Sequence, residues 1–420
     1  MCRTALALLL AAAAVAAPQP PKDELTKTPA GFVRFRVQEI DRSLKVGYAV
    51  ITTDVNGDGK PDIVVVDTNQ VVWYENPTWK KRVIISGQTK TDNVCIAAAD
   101  IDGDGQIDFA LGADWGALNR TRDGGTIQWL QRGKTLDEPW TVHAIGEEPS
   151  VHRMRFVDFD GSGKPKLVVV PLMGRNATAK ANWVDGQPTR VLAYPIPADP
   201  VKGRWVPDVI SESLHVIHGF APVAGAGGRP GFDLLAASYE GVSLIGPDAK
   251  GAWKTRRVGE GDQGNPTKER GASEVKQGRL KNGKRFLATI EPWHGNRVVV
   301  YTPPDDPTKL WDRQTPVDSR LRWGHAVWCA DLDGDGDDEL IVGVRDDPRA
   351  GDTFPDRRGV RIYRCTDGIG AHWDERIAID PNGVAVEDLT VADLDGDGKP
   401  EIIAVGRATG NLRVYWNIGK

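Results

Sequence analysis

The chain holds seven histidines in 420 residues, and three of them fall at one repeated position. His152 and His325 each stand six residues before the first aspartate of an acidic turn, Asp158 and Asp331. His218 has the same place before Ala224, where a glycine-rich turn replaces the acidic one. The other members of the set are Tyr48, Val94, Glu387 and, through a looser alignment, Ala272. A fourth histidine, His294, lies in Glu291-Pro-Trp-His-Gly-Asn296. Imidazoles gathered at one level of a repeating fold suit a transition metal, because Zn²⁺ takes neutral imidazole nitrogen and three protein ligands plus an open position is its catalytic arrangement. The expected ligands are His152, His218 and one of His294 and His325. We take His294 as the ligand and leave His325 as a base. The bland alternative is a channel lined by histidines bonded to water and neighbours. His143 and His372 read as structural, and His215 fits either role.

A second set of residues could bind a different ion. Four stretches follow the pattern Asp-x-Asp/Asn-Gly-Asp-Gly-x-x-Asp/Glu. Their oxygen-bearing residues are Asp54, Asn56, Asp58 and Asp62; Asp100, Asp102, Asp104 and Asp108; Asp331, Asp333, Asp335 and Glu339; and Asp393, Asp395, Asp397 and Glu401. Oxygens at positions one, three and five, a glycine at the bend and a late carboxylate suit Ca²⁺, a hard cation that wants six to eight oxygens. Up to four structural calcium sites are expected. A fifth copy, Asp158 to Lys166, has Ser162 and Lys166 where carboxylates should be, so no ion is expected there. The competing reading is that the four complete copies are merely polar hairpin turns.

These turns also show which elements must position the histidines. Each follows a short alternating run and precedes an apolar run, as Tyr48 to Thr53 and Ile63 to Val66 do, which reads as strand, tight turn, strand. Successive turns start 46, 58, 173 and 62 residues apart. The long gap holds two degenerate copies, one from Phe220 to Leu235 and one from Val275 to Thr289, making seven units. An aromatic with an apolar residue or proline five positions later marks an outer strand in six of them: Trp79, Trp140, Trp205, Trp253, Trp311 and Trp373. The unit after Asp393 ends at Lys420 without one, but Phe35 with Ile40 stands before the first unit. The expected fold is therefore all-β, a seven-bladed β-propeller whose N-terminal strand closes the last blade and removes the open sheet edges. In such a ring the starts of the inner strands and the loops between second and third strands share one face. His294, Trp115, Arg345 and Arg407 lie in such loops, and the acidic turns lie on the opposite face. The loops from Gly112 to Gly125, Pro171 to Arg190 and Val344 to Gly359 are the longest, as binding loops often are.

Bulk properties narrow the partners. An apolar content of 40% supports a folded core, and a net charge of −5 with no basic run argues against nucleic acid or an anionic membrane. Residues 1–17, with one arginine and a run of Ala, Leu and Val, read as a signal peptide cut after Ala16 or Ala17. The run is too short to span a bilayer, and no later stretch qualifies. A linker is expected over 18–30 and the propeller over 31–420, in a secreted or periplasmic protein of unknown oligomeric state. Of the remaining cysteines, Cys329 and Cys365 are expected to be thiols rather than a pair.

The acidic turns and their placement resemble FG-GAP/VCBS-type propeller repeats, as in integrin α-chain heads and many secreted bacterial proteins. Ser213-Leu-His-Val-Ile-His-Gly-Phe220 and Glu291-Pro-Trp-His-Gly-Asn296 resemble more narrowly the propeller of the aldos-2-ulose dehydratases, zinc-dependent sugar lyases. That resemblance implies a zinc in the channel and a keto-sugar substrate. The expected function is a metal-dependent lyase or hydratase acting on a small carbohydrate or glycoside. His325 or His294 would take the α-proton, Glu291 or Tyr48 would protonate the departing oxygen, Arg345 and Arg407 would bind hydroxyls or a carboxylate, and Trp115 and Trp293 would stack on the ring. Two alternatives stand beside it: a non-catalytic carbohydrate-binding or adhesion propeller stabilised by calcium, and a polysaccharide lyase, which predicts a longer, more basic groove.

Overall fold

The computed structural model describes residues 24–116, 120–264, 269–345, 358–374 and 376–420. The signal-peptide reading, and parts of the loops from Gly112 and from Val344, lie outside the described residues. Seven antiparallel sheets follow one another around a ring. Blades 1 to 6 occupy 49–86, 95–147, 151–214, 219–259, 274–313 and 324–381, each with four strands in sequence order. Blade 7 takes its inner three strands from 386–417 and its outer strand from the N-terminus, Phe35–Asp41, paired antiparallel with Leu412–Asn417. Glu24–Leu25, within the expected linker, adds a short fifth strand to that blade. No α-helix occurs among the described residues.

Blade stacking explains the sequence pattern. The second strands, such as Asp62–Asp67 and Glu401–Gly406, are buried along their whole length. They are covered on both faces by neighbouring blades, so they read as continuous apolar runs. Outer strands such as Lys80–Ser86 bury only part of their length and carry charges. The marker aromatics wedge between blades: Trp79 meets Trp416 at 5.9 Å, Trp253 meets Phe159 at 4.9 Å and Trp373 meets Phe286 at 5.1 Å, between ring centroids. Each such pair adds about 0.5–1.5 kcal/mol beyond its area burial.

The acidic turns tie the blades together. Gly57 and Gly59 take φ of +78° and +84°, which bends the backbone so that both amides donate to Asp54. The late carboxylate is buried and accepts the amide of the turn's second residue: Asp62 from Val55, Asp108 from Ile101, Glu339 from Leu332 and Glu401 from Leu394. The carbonyl of that second residue is gripped by the next blade, through Arg132 on Val55, Asn417 on Leu332 and Asn76 on Leu394. In the fifth, incomplete turn, Arg229 binds the carbonyl of Phe159 in the same way, while Lys166 turns out to Asp208. Cys329 and Cys365 are free thiols.

Candidate metal centre

Every inner strand starts on the histidine face. Three of them carry the same irregularity. The register slips between Val151 and Arg153, between Gly324 and Ala326, and between Val386 and Asp388. A bulge of this kind re-aims the skipped side chain, and the skipped residues are His152, His325 and Glu387. His218 immediately precedes the inner strand Gly219–Ala224, and His294 stands in the turn after Arg285–Glu291 with φ +49°. In blade 5 the amide bond from Ser273 to Ile290 matches that from His218 to Ala237, so Ser273 rather than Ala272 holds the repeated place.

These strands bring His218, His294 and His325 together, with one nitrogen from each within 4.8 Å of the others. The Nε2 atoms of His218 and His294 are 3.2 Å apart. On the far side of the rings, His218 Nδ1 is 2.7 Å from Glu274 Oε1 and His325 Nδ1 is 2.5 Å from the carbonyl of Glu387. Those acceptors fix the Nδ1–H tautomer and leave the Nε2 lone pairs pointing inward, the usual outer support of metal-bound histidine. Burial first, and neighbouring imidazoles and guanidiniums after it, hold His294 and His325 well below the ordinary histidine value. His218 is lowered less because Glu274 opposes the burial. Burial raises the Glu274 carboxyl, but the bond to His218 and the charge of Arg153 outweigh it and leave it below the usual range. The donor set is three uncharged imidazoles with one nitrogen each converging, which fits a divalent transition metal with a position left open. His294 is the partly exposed member, so the open side lies there.

The expected ligand set changes in one member. His152 lies beside the trio, its ring centroid 4.8 Å from that of His218, but its Nε2 is 3.4 Å from Arg153 Nη1 and is outside the cluster. His325, expected as the base, is in it. Glu291 does not reach the centre: its carboxylate is fully buried within blade 5, bonded to Arg313, Thr289 and Tyr301. Burial raises its carboxyl, and Arg313 pairs with it, so it is a structural ion pair and no proton donor to the channel. Tyr48 is at the mouth, under Arg407 at 5.1 Å and edge-on to Trp115 at 6.2 Å. Arg345 and Arg407 fork onto Glu387 at 2.9 and 3.0 Å, and Arg345 also lies 3.3 Å from His325 Nε2. Trp115 and Trp293, expected as stacking surfaces, are only 8% and 9% exposed. They back His152 and His294 at 5.8 and 4.8 Å. The exposed indole is Trp323, at 36%, parallel to His294 within 14° at 6.0 Å and covered on one side by Arg345. Sequence reading missed Trp323, Glu274 and Arg153. A signal for the first existed, since Trp323-Gly-His325 mirrors Trp293-His294-Gly295.

His143 stacks on Trp129 and His215 bonds Glu240, consistent with structural roles. On the opposite face, three acidic turns each bring three carboxylates within 4.8 Å: Asp100, Asp102 and Asp108; Asp331, Asp333 and Glu339; Asp393, Asp395 and Glu401. The Asp54 turn has Asn56 in the middle place and Asp62 at its end. Position-five residues Asp58, Asp104, Asp335 and Asp397 cap the backbone amide two residues on and stand outside these trios. Burial, reinforced by neighbouring carboxylates, pushes the late carboxyl up to about 6 in Asp62 and Asp108, about 7 in Glu401 and about 9 in Glu339. Such crowded, partly desolvated oxygens fit a hard cation.

The fold and the centre thus define a class: a seven-bladed β-propeller with acidic turns on one face and a three-histidine cluster in its channel. Comparisons agree. The FG-GAP-like repeat model matches residues 54–111, and that of the aldos-2-ulose dehydratase β-propeller domain matches 124–304, a span that includes His152, His218 and His294. The aldos-2-ulose dehydratase of Phanerodontia chrysosporium is 30% identical over 265 residues, covering 58% of this chain and 28% of that protein. The chain is therefore similar to the propeller portion of that protein. Among solved structures, one of BBS1N in complex with ARL6DN aligns at TM-score 0.52 and 14% identity over 91% of this chain and 95% of that one. A chain of the mitotic checkpoint complex aligns at 0.55 and 12% over 99% and 100%. Those two show the fold alone.

Proposed function

We propose that the protein is a metal-dependent lyase or hydratase acting on a keto sugar or oxidised glycoside by β-elimination at the channel mouth. The observation that carries this is the convergence of the His218, His294 and His325 nitrogens beside an exposed tryptophan, in a propeller similar to that of a sugar dehydratase. A Zn²⁺ or similar ion held by the trio would supply Lewis-acid polarisation of a carbonyl and its neighbouring hydroxyl. His152, buried and uncharged, is free of the trio and is the base available for the α-proton. Breaking that C–H bond leaves its electron pair to form the C=C bond as the β C–O bond breaks, and the oxygen departs as water once protonated. With Glu291 bound to Arg313, Tyr48 is the remaining candidate donor of the two expected. Trp323 offers the face on which a sugar ring stacks. Arg407, at the mouth, can orient hydroxyls.

The test pairs elemental analysis with turnover. Purified protein, desalted without chelator, should carry one transition metal per chain and convert keto sugars to a product with enone absorbance. Trp323→Ala should raise KM about three- to tenfold with kcat little changed, as expected for loss of a stacking contact. Calcium alone, with no turnover after zinc is added, would instead support a non-catalytic carbohydrate-binding propeller. The deep burial of His152, His218 and His325 is what imidazoles filling a channel would also show.

We also propose that the four complete acidic turns bind Ca²⁺ as structural ions. At free calcium a hundred times its dissociation constant, each site adds about 2.7 kcal/mol to stability. Chelation should lower the melting temperature, and Asp393→Asn should remove one calcium per chain. Asp158→Asn, in the turn ending in Lys166, should leave the calcium count unchanged. Equal counts in the two variants would contradict the assignment.

A further inference from the structure

The channel continues below the histidines, and its charges do not cancel. Arg153 and Glu274 stand next to the metal centre, and two residues further along the same inner strands stand Arg155 and Lys276. Asp388 is the other acid at this depth. Both acids are already engaged. Glu274 binds His218 and faces Arg153. Asp388 accepts the amides of Val50 and Leu389, one on each oxygen. Among the described residues neither Arg155 nor Lys276 forms an ion pair. Arg155 donates to the carbonyl of Met154, and Lys276 Nζ lies 5.0 Å over the ring of Trp328. Burial pulls both cations down from their ordinary values. Arg153, Arg155 and Lys276 thus outnumber Glu274 and Asp388 by one charge in a half-buried channel, an excess that an anion from solution would offset.

There is room for one. A cavity of about 260 Å³ opens against Arg155, Lys276, Phe220, Pro222 and Trp328. Only a void of about 20 Å³ lies between it and the layer of Arg153, Glu274 and Asp388. We propose that this cavity is an oxyanion-binding site, separate from the histidine centre, in which Arg155 and Lys276 hold a carboxylate or phosphate group and Trp328 flanks the rest of a small ligand such as a sugar acid. The guanidinium supplies a planar fork suited to either oxyanion, and the ammonium a point charge.

Isothermal titration of the intact, calcium-replete chain at low ionic strength tests it, with inorganic phosphate in one arm and glucuronate in the other. One saturable site is expected in at least one arm: phosphate alone points to a phosphate ligand, glucuronate alone to a sugar carboxylate, both to a general oxyanion site. Lys276→Met should weaken binding about tenfold or more, the worth of a charge-assisted hydrogen bond. Pro222→Glu changes an exposed residue on the rim and sets a competing carboxylate there, so it should weaken binding similarly with an unchanged melt. It decides the matter if Lys276→Met misfolds. His294→Ala should bind as the parent does. No saturable binding up to millimolar ligand, parental affinity in Pro222→Glu, or loss of the site in His294→Ala would each overturn the proposal.

Discussion

With His218, His294 and His325 as the proposed metal ligands, His325→Ala is expected to empty the centre, whereas His152→Ala leaves it filled. Both residues stand at the same bulged position of their inner strands, both are buried, and the two substitutions remove equal side-chain volume. Their environments differ. His325 is anchored at Nδ1 by the Glu387 carbonyl, so its Nε2 is presented to His218 and His294. His152 Nε2 lies 3.4 Å from Arg153 Nη1 much as His325 Nε2 lies 3.3 Å from Arg345 Nη1, but only His325 brings a ring nitrogen within 4.8 Å of those of both His218 and His294. Glu274→Gln is the intermediate case, since the amide can still accept from His218 but no longer carries charge; loss of such an outer partner costs about 10–100-fold in metal affinity. His325→Ala should exceed that range, and turnover should disappear with the metal. In His152→Ala the metal stays near one per chain while turnover falls, as expected for loss of a base worth about 10²–10⁴-fold. Elemental analysis of the three variants after dialysis, with thermal melts as the folding control, gives the answer. Metal retained in His325→Ala and lost in His152→Ala would restore the ligand set expected from the repeat pattern.

That contrast marks where the sequence stops being readable. The ring was legible because each blade repeats a turn whose aspartates and glycines have a local physical reason, and because the outer-strand aromatics return at a fixed offset. Even the closure could be read, since Phe35 and Ile40 make an outer-strand signal with no blade before them. The alignment slipped by one residue at Ala272, in blade 5, which lacks an acidic turn to set its register. There Asp337 and Asp338, from the turn of blade 6, cap the backbone of Lys281 and Arg279 instead. The histidines were legible as a set because they share a repeat position. The direction each ring faces is settled by residues from other blades: Glu274 of blade 5 turns His218, and Glu387 of blade 7 turns His325. Glu291 looked catalytic by its neighbourhood in the chain, but Arg313, in the outermost strand of its own blade, draws the carboxylate away from the channel. Trp115 and Trp293 lie in the expected loops, yet they support the histidine rings from behind rather than facing solvent.

Removing residues 24–41 is expected to prevent stable folding, while removing Glu24 and Leu25 alone leaves the melt unchanged. The short segment is exposed and pairs with only two residues. The strand Phe35–Asp41 supplies the outer edge of blade 7, and without it Leu412–Asn417 presents an unpaired row of backbone groups. The side-chain ties would go as well: Arg413 to Glu39 at 2.7 Å and Trp416 to Gln38 at 2.8 Å. Phe35 itself is fully buried in a cluster with Ile362, Ile379 and Tyr415, which joins blades 6 and 7. Phe35→Ala alone should cost about 3–5 kcal/mol, a large part of the roughly 5–15 kcal/mol that keeps a domain folded. Urea unfolding would read this as a lower midpoint with an unchanged slope. The cost should also be felt across the ring, because blade 7 holds the carbonyl of Leu332 through Asn417 and blade 1 holds that of Leu394 through Asn76. Loosening the closing strand therefore weakens both joints of the last blade, and the histidine centre, built from blades 4, 5 and 6 with Glu387 of blade 7 behind it, should lose metal before the chain unfolds. A Phe35→Ala variant with parental stability and full metal would show that the ring is held by blade stacking alone.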